Sequence, residues 1–268
     1  MVSYTIQLLT IQVFCFLVIL TTAFALPFPE ELNDADVQRY YNARKEAMKN
    51  LDVFDGDMLG IEDMLEEDRN GRRLKRYRWP NAVVPYYIHT DIDDEKRRNI
   101  FAAFAYYQKN TCLKFVPRTN EHDYIWIHNG TGCSSYVGRQ PSNYQPQPVS
   151  LADGCHRLGA VLHELGHAIG LFHEHGRYDR DKYLAIHLEN VDENRKHNFR
   201  IIPLSEAILY TKFDYHSIMI YDSTAFSKNG KDTMVPIQKG VVLLDADYKM
   251  ELTKSDLIRV NKMYKCYV

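Results

Sequence analysis

Eleven consecutive residues constrain this chain more than any others: His163-Glu164-Leu165-Gly166-His167-Ala168-Ile169-Gly170-Leu171-Phe172-His173. Helical residues four apart share a face, about 5–6 Å from one another, so His163 and His167 can aim two imidazoles at one point. A third ligand on the same straight helix would lie too far along its axis. Gly170 removes that obstacle, because glycine takes positive φ at little cost and lets the chain turn back with His173. Three imidazoles leave a fourth position open, as a reactive zinc ion requires, whereas a structural zinc is closed by four side chains. Imidazoles without thiolates suit Zn²⁺, and Cu²⁺ or Co²⁺ would also fit the donor set. Glu164 follows the first ligand and can reach water at the ion without ligating it, which suits a general base in metal-assisted hydrolysis. A bare His-Glu-x-x-His arises by accident on many surface helices. The longer form with Gly170 and His173 is far more demanding.

The rest of the chain sets the context. The first apolar run, residues 6–20, is closed by Ala23-Phe24-Ala25, the small-x-small pattern of a cleaved signal peptide. It is short of the about 20 apolar residues of a membrane span, so residues 1–25 are expected to be removed, leaving no membrane association. Cys15 leaves with that segment. Cys112, Cys133, Cys155 and Cys266 remain, an even number that predicts two disulfides in an exported chain, with three possible pairings. Residues 26–69 hold 13 Asp/Glu against 5 Lys/Arg, and residues 70–268 hold 22 against 28. An acidic leader on a basic body helps a detachable segment stay docked. The whole chain carries a formal charge of −2, which gives no basis for a nucleic-acid partner. Arg69-Asn70 and Arg72-Arg73-Leu74-Lys75-Arg76 lie in a charged, apolar-poor stretch open to processing proteases. Asn129-Gly130-Thr131 is an N-glycosylation sequon.

Patterning predicts a short polar helix over residues 35–50 and a turn at Asp52–Met58. It then predicts a strand over 82–89, bent or at an edge because of Pro85, and a helix over 93–109. Strands are predicted over 124–128 and 149–151, then a helix over 156–169 ended by Gly170, an irregular stretch over 176–250, and a last helix over 253–264. The order lacks βαβ alternation, so the expected class is α+β.

With these residues in view, the chain resembles the astacin family of metzincin zinc endopeptidases. The long zinc motif is followed by Ser217-Ile218-Met219-Ile220-Tyr221, similar to the family's Met-containing turn, with Ile220 where His is usual. His173-Glu174-His175, Trp79-Pro80 with Val84-Pro85-Tyr86, Cys112-Leu113-Lys114-Phe115-Val116-Pro117-Arg118 and Gly138-Arg139-Gln140 agree. The likeness covers residues 70–268 with no further module after it, a minimal layout. It implies a two-lobed domain, with a twisted mixed sheet and the zinc helix in the first lobe and a largely irregular second lobe ending in a helix. It implies one Zn²⁺ held by His163, His167 and His173, with Met219 beneath the site. Tyr221 becomes a fifth ligand that swings away to support the transition state, and Glu174 pairs with a new N-terminus. Bridges Cys112–Cys266 and Cys133–Cys155 are implied as well.

The leader joins the resemblance through Phe54-x-Gly56-Asp57, similar to the propeptide motif in which the Asp ligates zinc and keeps the precursor latent. Residues 26–69 would be that propeptide, cut at Arg69–Asn70 by a trypsin-like protease, with a furin-like cut after Arg76 as the competitor. Proteins or peptides would be the substrates. The position where some relatives carry Lys or Arg to read acidic substrates falls near Ala246, so no acidic preference is expected.

Overall fold

The computed structural model describes residues 53–60, 75–203 and 207–266, together with Arg39, Ala43 and Ala47. The expected signal segment, residues 1–25, and the Arg69–Asn70 bond lie outside the described residues. The chain divides into two compact units, Met1–Arg39 and Tyr40–Val268. Among the described residues, every strand and the histidine motif belong to the second unit. Among the described residues, no helix is long and apolar enough to cross a membrane.

The first lobe is built on a six-stranded mixed sheet in the order β1-β5-β6-β4-β2-β3. The strands are β1 (Met58–Leu59), β2 (Val83–Ile88), β3 (Lys114–Pro117), β4 (Ile125–His128), β5 (Cys133–Tyr136) and β6 (Gln147–Leu151). β5 runs antiparallel to β6, and every other pairing is parallel. Ile125 and Ile127 of β4 are buried while Trp126 and His128 are half-buried, the alternation read from the sequence. Helix α1 (Asp94–Asn110) begins at Asp93, whose side chain accepts from the Lys96 backbone N–H. α1 joins the parallel strands β2 and β3, so the chain does contain one βαβ unit that the element order did not reveal. Some strands of this sheet escaped the sequence reading for a physical reason. β3 is four residues ending in Pro, and β5 is Cys-Ser-Ser-Tyr, with no apolar alternation to show it.

Helix α2 (Leu158–Ala168) carries the first part of the histidine motif and is buried along its length. It packs with α1 in the main core, which includes Ile100, Phe104, Tyr107, Ile127, Val149, Leu162, Leu165 and Met219. The second lobe has a separate core around Leu184, Val191, Phe199, Ile220, Tyr221, Met234 and Leu243, with one short two-stranded antiparallel sheet, β7 (Leu184–Ile186) and β8 (Met234–Pro236). Ile220, unusual at its position, lies fully inside this core. Helix α3 (Lys254–Tyr264) opens with a capping box between Thr253 and Asp256. Disulfides join Cys112 to Cys266, which ties the C-terminus to the end of α1, and Cys133 to Cys155.

Candidate metal centre

The end of α2 is held firmly. The Gly170 and Gly138 backbone N–H groups both donate to the His167 carbonyl, at 2.7 and 2.8 Å. The Trp79 indole donates to the Ala168 carbonyl and the Tyr264 hydroxyl to that of Ile169, each at 2.9 Å. These bonds satisfy carbonyls that a helix end leaves without partners. Gly170 has φ +111°, a conformation that L side chains rarely adopt. The chain therefore reverses there and brings His173 back to the helix.

The result is a triangle. The Nε2 atoms of His163, His167 and His173 lie 3.1 Å apart on each side, and all three rings are buried. The partners of the other ring nitrogens settle the tautomers. His163 Nδ1 donates to the Ile218 carbonyl and His167 Nδ1 to the Leu171 carbonyl, both at 2.8 Å, and His173 Nδ1 faces the Asp55 carboxylate at 3.1 Å. The two carbonyls require N–H at Nδ1, and so does Asp55 as a carboxylate, so each neutral ring turns a lone pair inward at Nε2. Burial favours the neutral form, pushing the His163 imidazole below its ordinary range and that of His173 well below it. Three convergent lone pairs repel one another unless a cation lies among them. Their spacing is close to the about 3.3 Å between tetrahedral nitrogens at zinc distance. The residues present thus fit one zinc ion.

The leader meets this triangle. Phe54-Asp55-Gly56-Asp57-Met58 forms a tight turn closed by reciprocal backbone bonds between Phe54 and Met58 at 3.1 and 2.9 Å. Phe54 and Met58 anchor it in a small apolar cluster with Val137. The Asp57 carboxylate lies 3.1 Å from His163 Nε2, 3.2 Å from His173 Nε2 and 3.4 Å from His167 Nε2. Asp57 thus caps the face of the triangle. The leader strand β1 extends the sheet along the free edge of β5, and the Ser135 N–H donates to the Asp57 carbonyl at 2.9 Å.

Of the remaining predicted residues, Glu164, Met219 and Tyr221 adjoin the triangle. Glu164 is fully buried on α2 next to the first ligand. Met219 lies beneath the site, so close that a Cβ added at Gly166 would meet its sulfur at 2.8 Å. The Tyr221 hydroxyl donates to Asp57 Oδ2 at 2.7 Å and also contacts the Asp55 carbonyl. Burial, and then the Asp57 charge, push that phenol well above its ordinary range, so it acts here as a donor. Glu174 is buried and its Oε1 accepts from Arg259 Nη2 (2.7 Å), the Asp214 N–H (2.7 Å) and Arg177 Nη1 (3.1 Å). It also lines a cavity of about 90 Å³ bordered by Tyr77, Phe172, Arg177 and Arg259. Asn129 is exposed after β4, with its Oδ1 accepting from Lys96 Nζ at 3.2 Å. Ala246 is buried, and its carbonyl would lie 1.9 Å from a Cβ at Gly159, so this position packs against α2 and offers no charge to a substrate.

Several supporting residues gave no sequence signal. Asp256 on α3 accepts from Ser217 Oγ (2.6 Å) and the Ile218 N–H (2.9 Å), and so fixes the turn that carries Met219. Lys249 Nζ donates to the Ser217 carbonyl at 2.6 Å, and burial lowers its ammonium to about 8. Asp55, between Phe54 and Gly56 of the leader motif, reads in the sequence only as a turn residue two positions before Asp57.

Comparison with known proteins matches this geometry. The chain is 40% identical over 216 residues to astacin-like metalloprotease toxin 1 of Loxosceles intermedia, covering 80% of this chain and 81% of that one. It is 38% identical to zinc metalloproteinase nas-8 of Steinernema carpocapsae, covering 74% of this chain and 47% of the relative, about half of the nematode protein's length. Among solved structures, the medaka (Oryzias latipes) high choriolytic enzyme 1, a hatching enzyme zinc-protease, superposes with a TM-score of 0.64 at 34% identity, covering 71% of this chain and 94% of that one. The family model of the astacin peptidases matches residues 71–265, and with its three-histidine metal site the chain belongs to that family of zinc metallopeptidases.

Proposed function

We propose that the chain is exported as a latent endopeptidase and becomes active when its leader is cut away. The observation that carries this reading is the Asp57 carboxylate lying across three inward-facing imidazole lone pairs, in a buried site that a substrate would have to enter. His163, His167 and His173 would hold the zinc ion, with Asp57 as the fourth ligand in the precursor. When bound, the ion supplies a Lewis acid that acidifies water and polarises a carbonyl. Glu164 takes the proton from the attacking water and passes it to the leaving amine. Removal of the leader frees Tyr221 to donate its hydrogen bond to the developing oxyanion, or to approach the ion in the resting enzyme. It also frees the edge of β5, where an extended protein or peptide substrate can add as a strand.

A trypsin-like protease would cut at Arg69–Asn70, and the cavity beside Glu174 would receive the new N-terminus. Export of the chain is consistent with its two disulfides and with the exposed Asn129 sequon. The test is hydrolysis of a peptide library by unprocessed and processed protein. We expect cleavage only after processing, its loss with a chelator and recovery with Zn²⁺. Glu164→Gln should keep one zinc per chain and lose at least about 10²-fold in kcat. A Glu164→Gln enzyme with full activity would overturn the mechanism.

A further inference from the structure

The three ligand rings differ in what holds their outer nitrogens. His163 and His167 donate from Nδ1 to the Ile218 and Leu171 carbonyls, which belong to the body of the protein and remain after processing. His173 Nδ1 instead has its partner on the leader, Asp55 Oδ2 at 3.1 Å. The leader thus grips one imidazole from both ends: Asp57 Oδ1 lies 3.2 Å from Nε2 of His173, and Asp55 lies against Nδ1.

Asp55 is well placed for this. It takes the left-handed backbone (φ +50°) that Asp tolerates better than most residues. Its N–H donates to Asn198 Oδ1 at 3.0 Å, both residues are fully buried, and its carboxylate also lies 3.5 Å from His175 Nε2. Asp55, His173 and His175 do not make a second metal site. His173 already turns Nε2 to the first, and its Nδ1–H fills the space toward Asp55.

We propose that Asp55 is a positioning residue for the metal: it fixes the ring and the basicity of His173 from the leader, so the precursor holds its zinc with a support that processing removes. This rests on the reading of His173 as a zinc ligand. Carboxylates on the outer nitrogen of a ligating histidine orient the ring and strengthen it as a donor, and their loss costs about 10–100-fold in metal affinity. The leader would then secure metal loading as well as block the site.

The test is zinc affinity of the full-length precursor, measured by competition with a chromogenic chelator. Asp55→Ala should lower it about 10–100-fold. Asp55→Asn, which keeps the left-handed backbone and one acceptor oxygen, should fall between, and Asp55→Glu should recover part of the loss. In an Asp57→Asn precursor, adding Asp55→Ala should still lower the affinity, by a factor that coupling through the shared His173 sets. After processing, the Asp55→Ala product and wild type should bind zinc equally, because the leader is gone from both. Wild-type zinc retention by the Asp55→Ala precursor would overturn the proposal. So would disappearance of the effect in the Asp57→Asn background, since Asp55 would then act only by docking the leader. A wild-type precursor that binds no stoichiometric zinc would sink the metal reading along with it.

Discussion

Asp256→Ala should damage both stability and the metal centre, from a position far along the chain from the histidine motif. Its carboxylate is fully buried and accepts from Ser217 Oγ, the Ile218 and Thr253 N–H groups and Arg259 Nη1, at 2.6–3.2 Å. Removing it leaves the buried Ile218 N–H unsatisfied, at about 1–3 kcal/mol. Loss of the Thr253–Asp256 capping box adds about 1 kcal/mol. Arg259 loses one of its two carboxylate partners but keeps Glu174 at 2.7 Å, so its charge is not stranded. The sum is about 2–4 kcal/mol, or roughly 4–16 °C in Tm at about 2–4 °C per kcal/mol for a domain of this size. The Ile218 carbonyl orients His163, so displacement of this turn should also loosen zinc. Thermal unfolding followed by circular dichroism, with zinc content measured after dialysis, reads both effects. A Tm drop under about 3 °C with zinc retained would refute the view that Asp256 secures the turn.

Gly170→Ala should cost at least about 1–2 kcal/mol for the left-handed backbone, and its Cβ would meet Met263 Sδ at 3.1 Å; zinc content after dialysis should fall more sharply than Tm. Replacing Cys133 and Cys155 together with Ser opens a loop of sequence separation 22 and should cost about 3 kcal/mol, read from the urea midpoint. Burial lowers the His175 imidazole to about 4, whereas an unfolded His titrates near 6.5. Its stabilising contribution is therefore complete above pH 6.5 and is lost as pH falls from 6.5 to about 4, because only the unfolded chain takes up the proton there. That is about 3 kcal/mol, and His175→Phe should flatten the fall of Tm over this window.

Much of the site was legible without coordinates. The helix over 156–169 and its Gly170 stop lie within two residues of α2 and its reversal at φ +111°. The α1 and α3 spans came out equally close. What escaped was short or polar. Strand β1 has two residues, and β5 reads Cys-Ser-Ser-Tyr, so both exist because a neighbour pairs with them and not through any period of their own. The βαβ unit escaped because β3, with four residues, was too short to be seen.

The sequence by itself determined the three donors of the metal site. His163, His167, Gly170 and His173 form a local device, in which helical periodicity and one permissive glycine bring the donors together whatever surrounds them. Tertiary structure alone decided what each ring does with its other nitrogen, which acids reach the triangle, and how the turn beneath it is held. Those bonds join residues such as 55 to 173 and 256 to 218, far apart in the chain. No periodicity encodes such partners, because they depend on the packing of every element between them. The Asp55 carboxylate beside His173 became meaningful only when folding placed it there.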